Sequence, residues 1–270
     1  MNTLDKQVLE LLRKTARSVV MPRYRNLAPD EVIEKAEDDP VTIADRESEA
    51  MLSEGLSALM PEAAIVGEEA AFADPSVLDG LDRLCWIIDP IDGTKNFASG
   101  EGPFALMVAL ADSGLAQGSW IYDPVRDRLC HARKGAGAFV DGERVTAAET
   151  GTKPPVLAAM TAYMAQSQRD LFNTAIAPHY TEAKAPRCAA EQYPLVAFGN
   201  HDLALYQRTL SWDHAAGSLF LNEAGGVSAR LDGSPYRVDS KEKGMIGAAS
   251  QALFDELAKR LDNAGYSTAS

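Results

Sequence analysis

A helical opening, a set of short strands after it, and strands alternating with helices beyond residue 150 predict an α+β first half joined to an α/β second half. Three observations carry this. Apolar residues first recur at three-to-four-residue spacing, then collapse into short runs bounded by Gly, Pro and Asp, and past the Pro154–Pro155 pair strand-like and helix-like runs alternate. At 270 residues the chain is long enough for two joined subdomains, expected at 1–150 and 151–270.

The elements follow in order. Leu4, Val8, Leu11, Leu12 and Val19 form an amphipathic stripe that stops before Pro22, and Ile43, Ala50, Met51, Leu52, Leu56 and Leu59 mark a second helix closed by Pro61. Runs at Ala64–Val66, Leu84–Ile88, Phe104–Leu110 and Leu115–Tyr122 read as strands, and Asp141-Gly142 is the turn of a hairpin. In the second half, strands are expected at Val156–Thr161, at Leu203–Tyr206, near Val227 and at Met245–Ala248. Helices are expected near Asp170–Ala177, near Ala189–Phe198, over Asp213–Ala224, and over Gln251–Leu261 with Ser250 as its cap.

Composition narrows the function. A formal net charge of -13 argues against nucleic acid polymers and anionic membrane surfaces, which need a basic face, while a divalent cation can reverse the sign of an acidic site toward a small anion. Cys85, Cys130 and Cys188 are odd in number and widely spaced, so they are expected as buried thiols in a reducing cytoplasm. No apolar run reaches the roughly 20 residues of a membrane span.

The most informative segment is Trp86-Ile87-Ile88-Asp89-Pro90-Ile91-Asp92-Gly93-Thr94. A buried strand ends there in a turn where Pro90 and Gly93 shape the backbone, so that Asp89 and Asp92 can converge; converging carboxylates repel unless a cation lies between them. Oxygen ligands suit magnesium, calcium or manganese. Such an Asp pair in a turn also has a purely structural explanation, and its companions decide between the two. These are Gly67-Glu68-Glu69 directly after a strand, Trp212-Asp213-His214 followed by Glu223-Ala224-Gly225-Gly226, and Asp39-Pro40-Val41-Thr42-Ile43-Ala44-Asp45. Asp213 sits where a helix N-cap belongs, and Asp45 is placed as a first-turn acid.

In this order and spacing, D-P-V-T-x-A-D, G-E-E, W-I-I-D-P-I-D-G-T and W-D-x-A-A-G with E-A-G-G resemble the inositol monophosphatase family, over nearly the whole chain and only loosely across Gly151–Leu210. The resemblance implies a layered α-β-α-β-α sandwich, with an antiparallel N-terminal sheet and a smaller C-terminal mixed sheet. It also implies a lithium-sensitive, magnesium-dependent phosphatase that is commonly a homodimer. Two to three magnesium ions would be held by Glu68, Asp89, the Ile91 carbonyl, Asp92 and Asp213, with Glu69 a lesser substitute for Glu68. Asp45 and Thr94 would orient and activate water beside Glu68, and the Gly93 and Thr94 amides, with Asp92 and Asp213, would face the substrate phosphate.

One departure bears on substrate. Relatives that cleave inositol phosphates place an acidic residue shortly before W-D, whereas Leu205–Ser211 contains none. Arg208 there reads either as a contact to a second phosphate or as a surface arginine, and His214 as a helix-start residue or one that tunes the site. The expected substrate is therefore a small phosphate monoester, with a 3'(2'),5'-bisphosphate nucleotide or histidinol phosphate as alternatives to inositol phosphate. G-x-S-x-G, Walker A and H-E-x-x-H motifs are absent, a nuclease would need a basic track, and a non-catalytic regulatory homologue would be expected to have lost one of these acids.

Overall fold

The computed structural model describes residues 2–28, 31–36 and 39–268. Helix α1 (Thr3–Thr15) continues through a π-helical turn at Ala16–Val20, and a short hairpin, β1 (Val32–Ala36) and β2 (Asp39–Thr42), leads into α2 (Ile43–Leu59). Strand β3 (Ala64–Gly67) and short α3 (Glu68–Ala73) precede β4 (Cys85–Asp92) and α4 (Thr94–Ser99). Strands β5 (Ala105–Asp112), β6 (Leu115–Asp123), β7 (Arg128–Arg133), β8 (Gly137–Val140) and β9 (Glu143–Val145) complete a seven-stranded sheet in sequential order, antiparallel except for the β3–β4 pair.

The second half supplies β10 (Val156–Ala159), α5 (Gln166–Leu171), β11 (Thr181–Ala183), α6 (Ala189–Ala197), β12 (Leu203–Tyr206), α7 (Ser211–Glu223), β13 (Val227–Ala229), β14 (Met245–Ala248) and α8 (Gln251–Asn263). Its five strands are ordered β11-β10-β12-β14-β13, parallel on one side and antiparallel on the other, hence mixed.

The strands of the large sheet are apolar on both faces because both faces are covered. Trp86, Ile88, Leu106, Val108, Trp120 and Tyr122 pack toward α1 and α2, while Cys85, Ile87, Ala105, Met107, Ala109 and Ile121 join the core shared with α6, α7 and the small sheet. Bulk on one face and small side chains on the other let α7 come close, and the Ser119 hydroxyl bonds the Ala216 carbonyl at 2.7 Å. The result is the expected layering, with α6 and α7 between the sheets. Cys85, Cys130 and Cys188 are buried, unpaired thiols. Among the described residues no helix is long and apolar enough to cross a membrane.

Candidate metal and phosphate site

Alternation along a strand sends residues three apart to opposite faces, which would separate Asp89 from Asp92. A bulge resolves this. Asp89 pairs with Met107 and Asp92 with Ala105, so Pro90 and Ile91 together oppose a single residue of β5 and the strand is rephased. Both carboxylates thereby sit on the face that looks toward α7. The strand also runs four residues past the predicted Ile88, which carries both acids to its end. Gly93 then turns the chain with φ +85°, and a Cβ there would stand 2.8 Å from the Pro103 carbonyl oxygen, so only glycine fits both the angle and the space.

Glu68 is the first residue of α3 rather than part of a loop. That helix is capped from outside: the Glu49 carboxylate, on α2, accepts the amides of Glu69 at 2.7 Å and Ala70 at 2.8 Å. Asp45 lies in the first turn of α2, as expected, where it forms a capping box with Thr42: its Oδ2 accepts the Thr42 amide at 2.8 Å and hydroxyl at 2.6 Å. Its Oδ1 faces the Thr94 hydroxyl at 3.3 Å, and that hydroxyl also donates to the Ile91 carbonyl at 2.9 Å. The Asp39 side chain lies outside the described residues.

The second half closes the site. Helix α6 aims its first turn at β4, and the Ala190 amide donates to Asp92 Oδ2 at 2.6 Å. Helix α7 starts two residues before the predicted Asp213, with Leu210 at the N-cap; Asp213 is the third helical residue and not a cap. Its Oδ2 is 3.4 Å from Arg208. Arg208, its side chain partly exposed, lines the same cavity and lies 4.3 Å over the Tyr163 ring. His214 is a buried core residue, with Nδ1 2.8 Å from the Tyr193 hydroxyl and Nε2 3.0 Å from the Arg208 carbonyl. Burial, more than any other influence, lowers its pKa to about 3 and keeps it neutral. Glu223 stands away from the site, where it accepts the amides of Gly135 and Gly137 at 2.7 and 2.8 Å and ties α7 to the β7–β8 turn.

Glu68, Asp89, Ile91, Asp92, Gly93, Thr94 and Asp213 line one cavity of about 400 Å³. Burial first, and then the charges of Glu68, Asp92, Asp213 and Asp45, hold the Asp89 carboxyl well above its ordinary range. Asp92 is pushed up to about 7 by burial and by Asp213, against the pull of the Ala190 amide. Asp89 Oδ1 is buried without a hydrogen-bond partner. A dense acidic set with an orphaned oxygen is unfavourable alone and fits a hard divalent cation. Among the described residues no three acids, histidines or cysteines close into a preformed cage.

The sequence model of the Inositol monophosphatase family matches residues 2–266. The chain belongs to the inositol monophosphatase family. It is 30% identical over 223 residues to the inositol-1-monophosphatase of Bacillus subtilis, covering 81% of this chain and 83% of that one. It is 31% identical over 260 residues to Nus factor SuhB of Pseudomonas aeruginosa, covering 93% and 94%. The solved Thermotoga maritima IMPase superposes with a TM-score of 0.81 at 26% identity, over 98% of both chains.

In this member of the family several cavity residues lay beyond the motifs. Lys95, Tyr163, Arg187, Cys188, Gln192 and Tyr206 all line the cavity, and apart from Lys95 they fall in the stretch where the sequence resembles the family only loosely. Glu49 gave no signal, since an acid inside a helix is ordinarily solvated. The Ala190 amide is backbone and carries no signature at all.

Proposed function

We propose that this phosphatase hydrolyses a small phosphate monoester with water as the nucleophile, in a magnesium-dependent reaction. The supporting observation is that Glu68, Asp89, Asp92 and Asp213, distant in sequence, line one cavity beside the Thr94–Asp45 pair. Those carboxylates and the Ile91 carbonyl would hold two to three ions. When bound, such ions supply Lewis-acid charge that makes water a better nucleophile near neutral pH and offsets charge on the phosphoryl and leaving oxygens.

The remaining work belongs to the chain. The Thr94 hydroxyl, whose single proton faces either the Ile91 carbonyl at 2.9 Å or Asp45 Oδ1 at 3.3 Å, would accept a hydrogen bond from the attacking water when it donates to Asp45; as the water attacks, its proton would pass to Thr94 and that of Thr94 to Asp45. Asp45 can take that role because Thr42 holds its other oxygen in a buried capping box. Gly93 opens the first turn of α4 so that its amide and that of Thr94 face the phosphoryl oxygens. A cavity of about 400 Å³ supports a small alcohol as the leaving portion.

Phosphate release from a panel of inositol, sugar, histidinol and nucleotide phosphates, with magnesium and with chelator, tests this. The expected result is turnover that stops on chelation, returns with magnesium and falls in a lithium titration at fixed magnesium; turnover indifferent to chelator overturns the mechanism. The likeness to Nus factor SuhB brings in a non-catalytic regulatory reading, which absence of turnover across the whole panel would favour.

A further inference from the structure

The cavity is lined by cations as well as by acids. Among the described residues every carboxylate that lines it belongs to the set assigned above to metal; the other charged residues are Lys95, Arg187 and Arg208. In a chain of net charge -13, three cations around one small cavity are not a sample of the surface.

Arg208 is held as a fork. Its guanidinium stacks 4.3 Å over Tyr163 and lies 3.4 Å from Asp213, while its carbonyl is fixed by His214 at 3.0 Å. A planar guanidinium restrained on an aromatic face loses little freedom on meeting a phosphate or carboxylate. Arg187 adds an independent sign. Its backbone sits at φ +57°, the left-handed region, one residue before the Cys188–Ala190 turn that fixes Asp92. Glycine would adopt that angle at less cost than the arginine that lines the cavity there.

We infer that Arg187 and Arg208, with Tyr163 behind Arg208, form a subsite for a second anionic group on the alcohol portion of the substrate. The preferred ester carries a phosphate or carboxylate in addition to the scissile phosphate, and a neutral polyol is a poor leaving group here. This rests on the phosphatase reading above and deepens it.

Two matched pairs test it: 2-phosphoglycerate against glycerol 2-phosphate for a carboxylate, and adenosine 3',5'-bisphosphate against adenosine 3'-phosphate for a second phosphate. The magnesium-loaded protein should favour the anionic member of at least one pair by roughly ten- to a hundredfold in kcat/KM, with the ratio shrinking as salt rises. Whichever pair discriminates identifies the anion. Arg208→Gln and Arg187→Gly should each drive the ratio toward unity, and Arg187→Gly, which relieves the backbone, should do so without lowering the unfolding midpoint. Calorimetric binding of the same pairs to the Asp92→Asn protein reads the preference without turnover. Equal values within both pairs, or a preference that survives both arginine substitutions, overturns the subsite. No turnover of any ester, with a calorimetric preference intact, instead sinks the phosphatase reading and leaves the subsite standing.

Discussion

Asp92 ends β4 of the large sheet and Ala190 lies in the first turn of α6, about a hundred residues on, yet the Ala190 amide meets Asp92 Oδ2 at 2.6 Å. This one bond orients a carboxylate that burial and Asp213 push toward protonation. Asp92→Asn keeps the shape and removes the charge. On the proposed reading Asp92 would be a metal ligand, which contributes several kcal/mol of transition-state stabilisation, so hydrolysis should fall on the order of 10³-fold, with a far-ultraviolet circular dichroism spectrum like that of the parent. Turnover at the parent rate would remove Asp92 from the site.

Glu49 acts one step further back. Its carboxylate accepts the amides of Glu69 and Ala70 and so fixes the start of α3, where Glu68 stands. Glu49→Gln replaces one accepting oxygen with an NH2 group that faces an N–H donor. Groups that orient metal ligands typically contribute ten- to a hundredfold in metal affinity. The magnesium concentration for half-maximal activity should therefore rise by about that factor, while the limiting rate at saturating magnesium changes much less. An unchanged magnesium requirement would show that α3 holds its place without this cap.

Much of this was legible in the residues. The motifs name the Asp89 and Asp92 pair, Glu68 after a strand, Thr94 and Asp45, and periodicity marks the longer helices and most core strands, while β1, β2, β7, β11 and the short helices α3 and α4 escape it. What was hidden depends on contacts between remote segments. Two aspartates three apart read as a turn, whereas their shared face comes from a bulge set by pairing with β5. Asp213 looked like a cap because helix starts are marked by side chains, and here the N-cap Leu210 has no polar one to give. His214 reads as a helix-start residue, which it is, and the packing of Tyr193, Tyr206 and Tyr236 against it, which buries it, has no local signal.

Gly217, the last residue of W-D-x-A-A-G, has its reason in that same packing. A Cβ at Gly217 would enter the Tyr193 ring, and that ring is held by its hydroxyl on His214 and by stacking on Tyr206 at 5.2 Å. Gly217→Ala would gain helix propensity but overpack a buried contact, and overpacking costs typically about 1–3 kcal/mol. The denaturation midpoint should fall accordingly. A more stable variant would mean that Tyr193 can move aside and that the glycine serves propensity-neutral packing only.

Magnesium should stabilise the fold in a pH-dependent way whose sign follows from the carboxylates. In the metal-free protein Asp92 titrates at about 7, above its ordinary 3.8, and Asp89 is raised in the same direction. Between those values the folded state binds more protons than the unfolded chain, so this contribution to stability falls as pH rises and levels off above about 7. Divalent ions need the deprotonated carboxylates, so they compete with protons in acid and bind the ready anions in base. The gain in Tm on adding magnesium, measured against chelator at each pH, should be small near pH 5.5 and grow toward pH 8. Groups remote from the site titrate alike in both series and cancel in the difference. A gain that is flat across this range, or larger in acid, would mean that the ions do not bind at these carboxylates.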